Sequence, residues 1–205
     1  MKSPCLFQPR ILKEAIKALL KGPYTSKFPY QPHKPYERFR GRPKFQEKYC
    51  IGCTACVNVC PSGALSFEDK TENTRALRRL THRVELCIFC GQCQANCPTE
   101  KGIILTDEFD LATTGKRQDL KQTIEKELAP CEYCGEVIAP GEQMRWVSGK
   151  LGSLTFSNPS LMVGYLRDLN LAAQENLFSE KKEFLRADRF KILCPKCRRE
   201  AVLKS

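Results

Sequence analysis

Eight of the chain's thirteen cysteines fall in two copies of one pattern, CxxCxxCxxxCP. The first copy holds Cys50, Cys53, Cys56 and Cys60 and ends on Pro61. The second lies 37 positions on, holds Cys87, Cys90, Cys93 and Cys97 and ends on Pro98. Three thiolates at i, i+3 and i+6 wrap one side of an iron–sulfur cube, in a loop tight enough to turn its amide N–H groups toward the sulfurs. Zinc sites favour separated CxxC pairs and rarely add a third cysteine at i+6 and a terminal CP. Two zinc ions in a ribbon are therefore the weaker reading.

The fourth thiolate of each cube cannot comfortably come from the same loop, and in two-cluster ferredoxins the fourth cysteine of each run ligates the other cluster. One [4Fe–4S] cluster is expected on Cys50, Cys53, Cys56 and Cys97, the other on Cys87, Cys90, Cys93 and Cys60. This exchange makes each cluster a staple between the two halves, so folding without iron should fail. Ile51, Val57, Val59, Ile88 and Phe89 are expected to wall the clusters from water, or to serve as ordinary core.

Two CxxC knuckles remain, Cys131 with Cys134 and Cys194 with Cys197. Together they suit one tetrahedral S₄ site, with Zn²⁺ favoured and mononuclear iron the alternative. A closed zinc site has no redox chemistry, so this module reads as a clip and docking surface. The 60 positions between Cys134 and Cys194 imply an inserted helix. Cys5 stands alone and reads as an incidental thiol. His33 and His82, the only histidines, sit in polar, basic stretches and are read as solvated. No position has the makings of a substrate-processing site. Electron transfer is what remains.

The elements that must hold these cysteines are legible around them. Each copy of the repeat is followed by a short strand-like run, "ALSF" at 64–67 and "GIIL" at 102–105, giving two loop–helix–strand halves separated by the polar insertion "EDKTENTRALRRLTHR". Upstream, "RILKEAIKALLKGP" carries Ile11, Leu12, Ala15, Ile16, Leu19 and Leu20 at helical spacing, with Arg10, Lys13, Lys17 and Lys21 on the other side and Gly22–Pro23 as a stop. Pro29, Pro32, Pro35 and Pro43 then preclude a long helix or a central strand and predict an extended arm. Downstream, Leu120, Ile124 and Leu128 predict a helix over 116–128. "CEYCGEVIAPGEQMRWV" suggests a knuckle and hairpin, and Asn158 with Pro159 should start a helix through Leu161, Tyr165, Leu166 and Leu169.

Charge and cysteine usage narrow the setting. Residues 1–49 hold twelve Lys or Arg against three Asp or Glu, most of the net +11. Such a segment suits an anionic membrane surface, an acidic partner or nucleic acid. Nucleic acid is not expected, because no reading motif accompanies the charge. The N-terminal stretch lacks an uninterrupted apolar run, and clustered CxxC spacing fits a reducing compartment. The expected location is cytoplasmic.

The order of the amphipathic helix, "ERFRGRPKF", "CIGCTACVNVCPSGAL" and "CIFCGQCQANCPTEKGIILTDEFDLA" resembles the eight-iron ferredoxin-like subunit shared by respiratory complex I (its 23-kDa-type iron–sulfur subunit) and the membrane-bound, energy-converting [NiFe] hydrogenases. The resemblance covers about residues 9–125. It implies a relay between a donor iron–sulfur protein or ferredoxin and the hydrogenase small and large subunits, with the helix and arm against membrane-arm subunits on the cytoplasmic face. The cysteine-bearing tail is more similar to the hydrogenase branch, including formate hydrogenlyase-type complexes. The same relay in a complex I-like, quinone-linked dehydrogenase is the alternative. From another class comes a metal-stapled interaction or nucleic-acid-binding protein with structural clusters only.

The expected fold is α+β: a helix and basic arm over 1–48, a two-[4Fe–4S] ferredoxin-like domain over 49–107, a helical linker over 108–130 and a zinc-binding Cys₄ module over 131–205.

Overall fold

Proline density and a strong helical stripe decide the first part of the chain, and long-range pairing decides the rest. The computed structural model describes residues 8–22, 25–72, 75–115, 117–173 and 184–204. Cys5 and Pro23 lie outside these residues. The chain divides into two compact units, Met1–Phe39 and Arg40–Ser205.

In the first unit, α1 (Pro9–Lys21) begins with proline at its first turn, where a missing N–H costs nothing. It ends where Gly22, at φ 74°, donates its N–H to the Ala18 carbonyl at 2.9 Å. No residue of α1 is buried, and its apolar stripe is open: Ile11 is 64% exposed and Leu19 84%. Among the described residues from 25 to 39 there is neither helix nor strand, as the prolines require.

In the second unit, β1 (Pro43–Phe45) pairs antiparallel with β4 (Ile103–Leu105), with Phe45 opposite Ile103. Proline is tolerated because it is the strand's first residue. The arm was expected to run to residue 48; instead, its last residues from Arg40 belong to the second unit. Gly41 N–H donates to Thr106 O at 2.9 Å and Arg42 N–H to Glu108 O at 3.1 Å, extending the β1–β4 seam.

The two cysteine repeats each form a loop, one helical turn and a strand. The turns are α2 (Ala55–Asn58) and α3 (Gln92–Ala95). The strand after α2 is β2 (Leu65–Glu72), which hairpins into β3 (Arg75–Arg83), so the polar insertion is mostly strand. The strand after α3 is β4. The pseudo-twofold therefore holds locally and breaks at the strands, which take different partners.

The helix expected over 116–128 is absent. A 3₁₀ turn at Arg117–Leu120 leads into β5 (Lys121–Pro130), which joins β2, β3 and β6 (Val137–Pro140) in one antiparallel sheet of order β2-β3-β5-β6. A spacing of four places Ile124 and Leu128 on one face of a strand as well as of a helix. Burial alternates along β5, with Ile124, Lys126, Leu128 and Pro130 inward. The inward lysine disguised the alternation in the sequence. Long-range pairing with β3 decides the matter, including Arg79 opposite Glu125 with an exposed 2.6 Å ion pair.

The knuckle and hairpin appear as the β5–β6 pair, but Gly141–Leu151 is helix (α4), not strand. A 3₁₀ segment, Gly152–Ser157, precedes α5 (Pro159–Asp168). Asn158 caps α5 as expected, its Oδ1 accepting from Ser160 N at 3.0 Å and Leu161 N at 3.3 Å. The last helix is α6 (Pro195–Leu203).

Two buried clusters result. Phe45, Leu65, Leu80, Ile103 and Ile124 pack with Cys50, Cys56 and Cys93. Leu193 and Ala201 pack with Cys131, Cys194 and Cys197.

The β1–β4 seam has no room for a side chain at residue 41. A Cβ there would lie 2.4 Å from Glu108 O and 2.6 Å from Thr106 O. Gly41→Ala should weaken the seam by about 1–3 kcal/mol. Amide exchange at Arg42 and Thr106 is expected to quicken by roughly 5- to 150-fold, since about 1.4 kcal/mol corresponds to tenfold; unchanged exchange would contradict the reading.

Candidate metal centres

The two repeats share more than cysteine spacing. Gly52 (φ 71°) and Thr54 (φ 62°) take left-handed conformations in the first loop, and Phe89 (φ 54°) and Gly91 (φ 79°) take them at the same repeat positions in the second. Each loop thus spends one glycine and strains one other residue to keep the same path. Alternation of right- and left-handed residues turns successive N–H groups into one concavity, a cradle for negative charge. The first sulfur of each loop faces the amide two residues on: Cys87 Sγ accepts from Phe89 N–H at 3.5 Å, and at Cys50 burial pushes the thiol up against an opposing pull from the Gly52 amide. The fourth sulfur of each repeat has a hydroxyl two residues on. Cys97 Sγ lies 3.3 Å from Thr99 Oγ1, and Cys60 Sγ lies 3.7 Å from Ser62 Oγ. Ser62 and Thr99 occupy equivalent positions after the CP, a signal that was present in the sequence and missed.

The fourth cysteines lie across from their own loops. A Cβ on Gly102 would sit 3.0 Å from Cys97 Sγ and 3.3 Å from Cys50 Cα, which puts the Cys97 sulfur beside the first loop. Its charge acts on Cys50 and Cys56. Cys60 acts on Cys87 and lines one small cavity with Cys87, Cys90 and Cys93.

Burial first, then the neighbouring Cys50, Cys53, Cys93 and Cys97, push the Cys56 thiol up to about 12. Burial likewise pushes Cys93 up to about 11. Burial also acts upward on Cys60, but the amides of Leu65, Ser62 and Ala64 together with the Ser62 hydroxyl outweigh it, and the net shift is downward. Thiols crowded and buried in this way keep their protons in the absence of a cation and lose them to solvent when a cation binds the sulfurs, which suits a metal-thiolate site. Of the residues expected to wall the loops, Ile51 is buried and Val57 packs on the core, whereas Ile88 is 61% exposed.

The last four cysteines converge as the knuckles predict. All four sulfurs lie within 4.8 Å of one another, and Cys134 Sγ and Cys194 Sγ are 3.7 Å apart. A tetrahedral site with bonds of ~2.3 Å has edges of about 3.8 Å, so the group fits a single ion. Cys131, Cys194 and Cys197 are buried and Cys134 is exposed. Glu132 ties the knuckles together: its N–H donates to Ile192 O, its Oε2 accepts from Ile192 N–H, both at 2.9 Å, and its Oε1 pairs with Arg167 of α5. Arg198 of α6 donates to Ser160 Oγ at 2.9 Å, fastening α6 to α5. Neither the clamp nor this tie was legible beforehand, because each joins residues more than 30 positions apart.

Residues 49–101 match the family model of the 4Fe-4S dicluster domain, a stretch that holds all eight cysteines of the two repeats. NAD(P)H-quinone oxidoreductase subunit I of Gloeobacter violaceus is 35% identical over 99 residues, 47% of each chain. NADH-quinone oxidoreductase subunit I 2 of Geobacter metallireducens is 31% identical over 114 residues, 53% of this chain and 86% of that one. Formate hydrogenlyase subunit 6 of Escherichia coli is 39% identical over 129 residues, 62% of this chain and 67% of that one. The chain belongs to this family of two-[4Fe–4S] ferredoxin-like subunits. The match to the Gloeobacter relative spans about half of that protein's length. The dicluster match ends before Cys131, so the Cys₄ group lies beyond the domain that carries the family's iron–sulfur motifs.

His82 corrects the reading of a solvated histidine. It lies on β3 between Leu65 and Gln122, is 1% exposed, and lines the cavity of Cys60, Cys87, Cys90 and Cys93. Neither ring nitrogen makes a hydrogen bond of good geometry among the described residues. Its basic flanks, Arg79 and Arg83, suggested a surface, but strand alternation turns it inward between them. Burial first, then the Arg42 guanidinium, push His82 below its usual value, against opposing pulls from the Pro43 carbonyl and Glu85. A histidine depressed on folding contributes most stability above its unfolded value of about 6.5, and that contribution is lost as pH falls below it. The denaturation free energy of the wild type should therefore decline relative to His82→Leu on acidification below about pH 6.5, by at most about 1.4 kcal/mol per pH unit. A gap between the two that stays constant with pH would reject a buried neutral imidazole.

Proposed function

We propose that the chain is an iron–sulfur electron-relay subunit of a membrane-bound, energy-converting [NiFe] hydrogenase complex. It would pass electrons between a donor-side iron–sulfur protein or ferredoxin and the hydrogenase small and large subunits. Cys50, Cys53, Cys56 and Cys97 hold one [4Fe–4S] cluster in this reading, and Cys87, Cys90, Cys93 and Cys60 the other. The reciprocal position of Cys60 and Cys97, each beside the other repeat's loop, is the observation that carries it. When bound, such clusters supply one-electron storage. The chain's own residues cradle the negative sulfurs with loop amides and the hydroxyls of Ser62 and Thr99, keep water out with Ile51 and Val57, and pack α2 beside α3 so that the two sites adjoin.

Of the three relatives compared, formate hydrogenlyase subunit 6 has the highest identity over the longest stretch, which supports the hydrogenase branch. The quinone oxidoreductase subunits support the alternative, the same relay in a quinone-linked dehydrogenase. Co-purification with a nickel-bearing large subunit favours the first; a nickel-free complex with quinone activity replaces it with the second. No helix among the described residues is long and apolar enough to cross a membrane. The open apolar stripe of α1 with its interleaved lysines supports peripheral attachment, proposed here at the cytoplasmic face against membrane-arm subunits. Zinc is proposed for Cys131, Cys134, Cys194 and Cys197, since a closed S₄ site suits it, with mononuclear iron as the competitor.

Anaerobically purified protein should contain about eight iron, eight sulfide and one zinc per chain, with both clusters reducible at low potential. Redox-silent clusters would sink the relay and leave a structural role. Ligand exchange has its own signature. Cys60→Ser should perturb the same electron paramagnetic resonance signal as Cys87→Ser, and Cys97→Ser the same one as Cys53→Ser; the opposite pairing would show that each loop closes its own cluster.

Cys194→Ser should abolish the zinc while both iron–sulfur spectra persist. A loss of cluster signals along with the zinc would show that the modules depend on each other.

A further inference from the structure

Two cations flank the backbone between Cys50 and Cys53. Arg78 Nη1 donates to the Gly52 carbonyl at 3.0 Å, but its charge is held by Asp69 through two bonds of 2.7 and 2.8 Å. Lys126 is different. Its side chain is 5% exposed, and its Cβ and Cγ pack so closely on Gly52 that a Cβ there would lie 3.2 and 3.3 Å from them. Its Nζ donates to the Glu47 carbonyl at 2.7 Å and to Glu142 Oε2 at 2.8 Å. Glu142 is 41% exposed and sits in the first turn of α4, beyond the Cys131 knuckle. The lysine comes from β5 and its counter-ion from the C-terminal module.

A buried ammonium with a single, half-exposed carboxylate keeps much of its field, because water screens the partner better than the cation. A site that gains one negative charge on reduction is easier to reduce beside such a cation and harder to reduce beside an anion. We propose that Lys126 is a positioning and electrostatic residue that raises the reduction potential of the cluster held by Cys50, Cys53, Cys56 and Cys97, and that Glu142 moderates it from the Cys₄ module. This rests on the iron–sulfur reading above and extends it: the last module then sets the energy of an electron at the first loop, beyond any role as a fastener.

The test separates charge from mere attachment, because removing either partner breaks the same bond. In the full-length, cluster-loaded chain, redox titration followed by electron paramagnetic resonance should show one midpoint moving negative in Lys126→Gln and the same midpoint moving positive in Glu142→Gln. The other cluster should hold its potential in both, and Lys126→Arg should return the first close to the wild-type value. The affected signal must be the one that Cys53→Ser alters. Shifts of the same sign in both variants, equal shifts of both clusters, or no shift in Glu142→Gln would overturn the proposal. Should Lys126→Gln lose its clusters, Glu142→Gln and Lys126→Arg still decide the outcome. A wild-type chain that binds no iron and sulfide would instead reject the iron–sulfur reading itself.

Discussion

Sulfur occupies the place of hydrocarbon in both hydrophobic clusters. Among the described residues three cysteines are buried in each, alongside five apolar side chains in the first and Leu193 and Ala201 in the second. Packed thiols give little cohesion by themselves, and a cluster with so few aliphatic contacts has little else to draw on. In the proposed reading, metal–thiolate bonds would supply the missing free energy, making binding and folding one process. The paired loops, their strained residues and their hydroxyls become intelligible as the geometry that such bonding demands.

β5 is the element that carries this constraint from one end of the second unit to the other. Its pairing with β3 reaches the cysteine repeats through Ile124, and its pairing with β6 delivers the Cys131 knuckle directly from Pro130. Lys126 lies between these two contacts, bonded to Glu47 before the first loop and Glu142 beyond the last strand. One strand therefore belongs to both metal-bearing parts, and the expected linker is a shared wall.

The cysteine repeats, the knuckles, α1 and the Asn158 cap were legible because each is written within a few consecutive residues. Spacing along the backbone fixes which groups meet, whatever the rest of the chain does. What escaped depends on pairing across long separations. Ile124 and Leu128 fit a helix or a strand until β3 is alongside; His82 looks solvated until β3 places it against β1 and the second loop; residues 40–48 look like arm until Thr106 and Glu108 receive their amides. α4 was lost for another reason, since the knuckle and hairpin before it suggested a continued strand while Glu142–Trp146 are acceptable helix formers.

The separation between partners also sets a timetable for synthesis. The first cysteine loop is made early, yet the sulfur beside it is Cys97 and the strand beside its leading edge is β4. The Cys131 knuckle waits for Cys194 and Cys197, which follow it by some 60 positions. Neither group can close from the segment that begins it: the first waits for Cys97 and β4, the second for Cys197. A nascent chain of this design exposes thiols from the making of each group's first cysteine to that of its last, so the paired repeats can mature before the Cys₄ group.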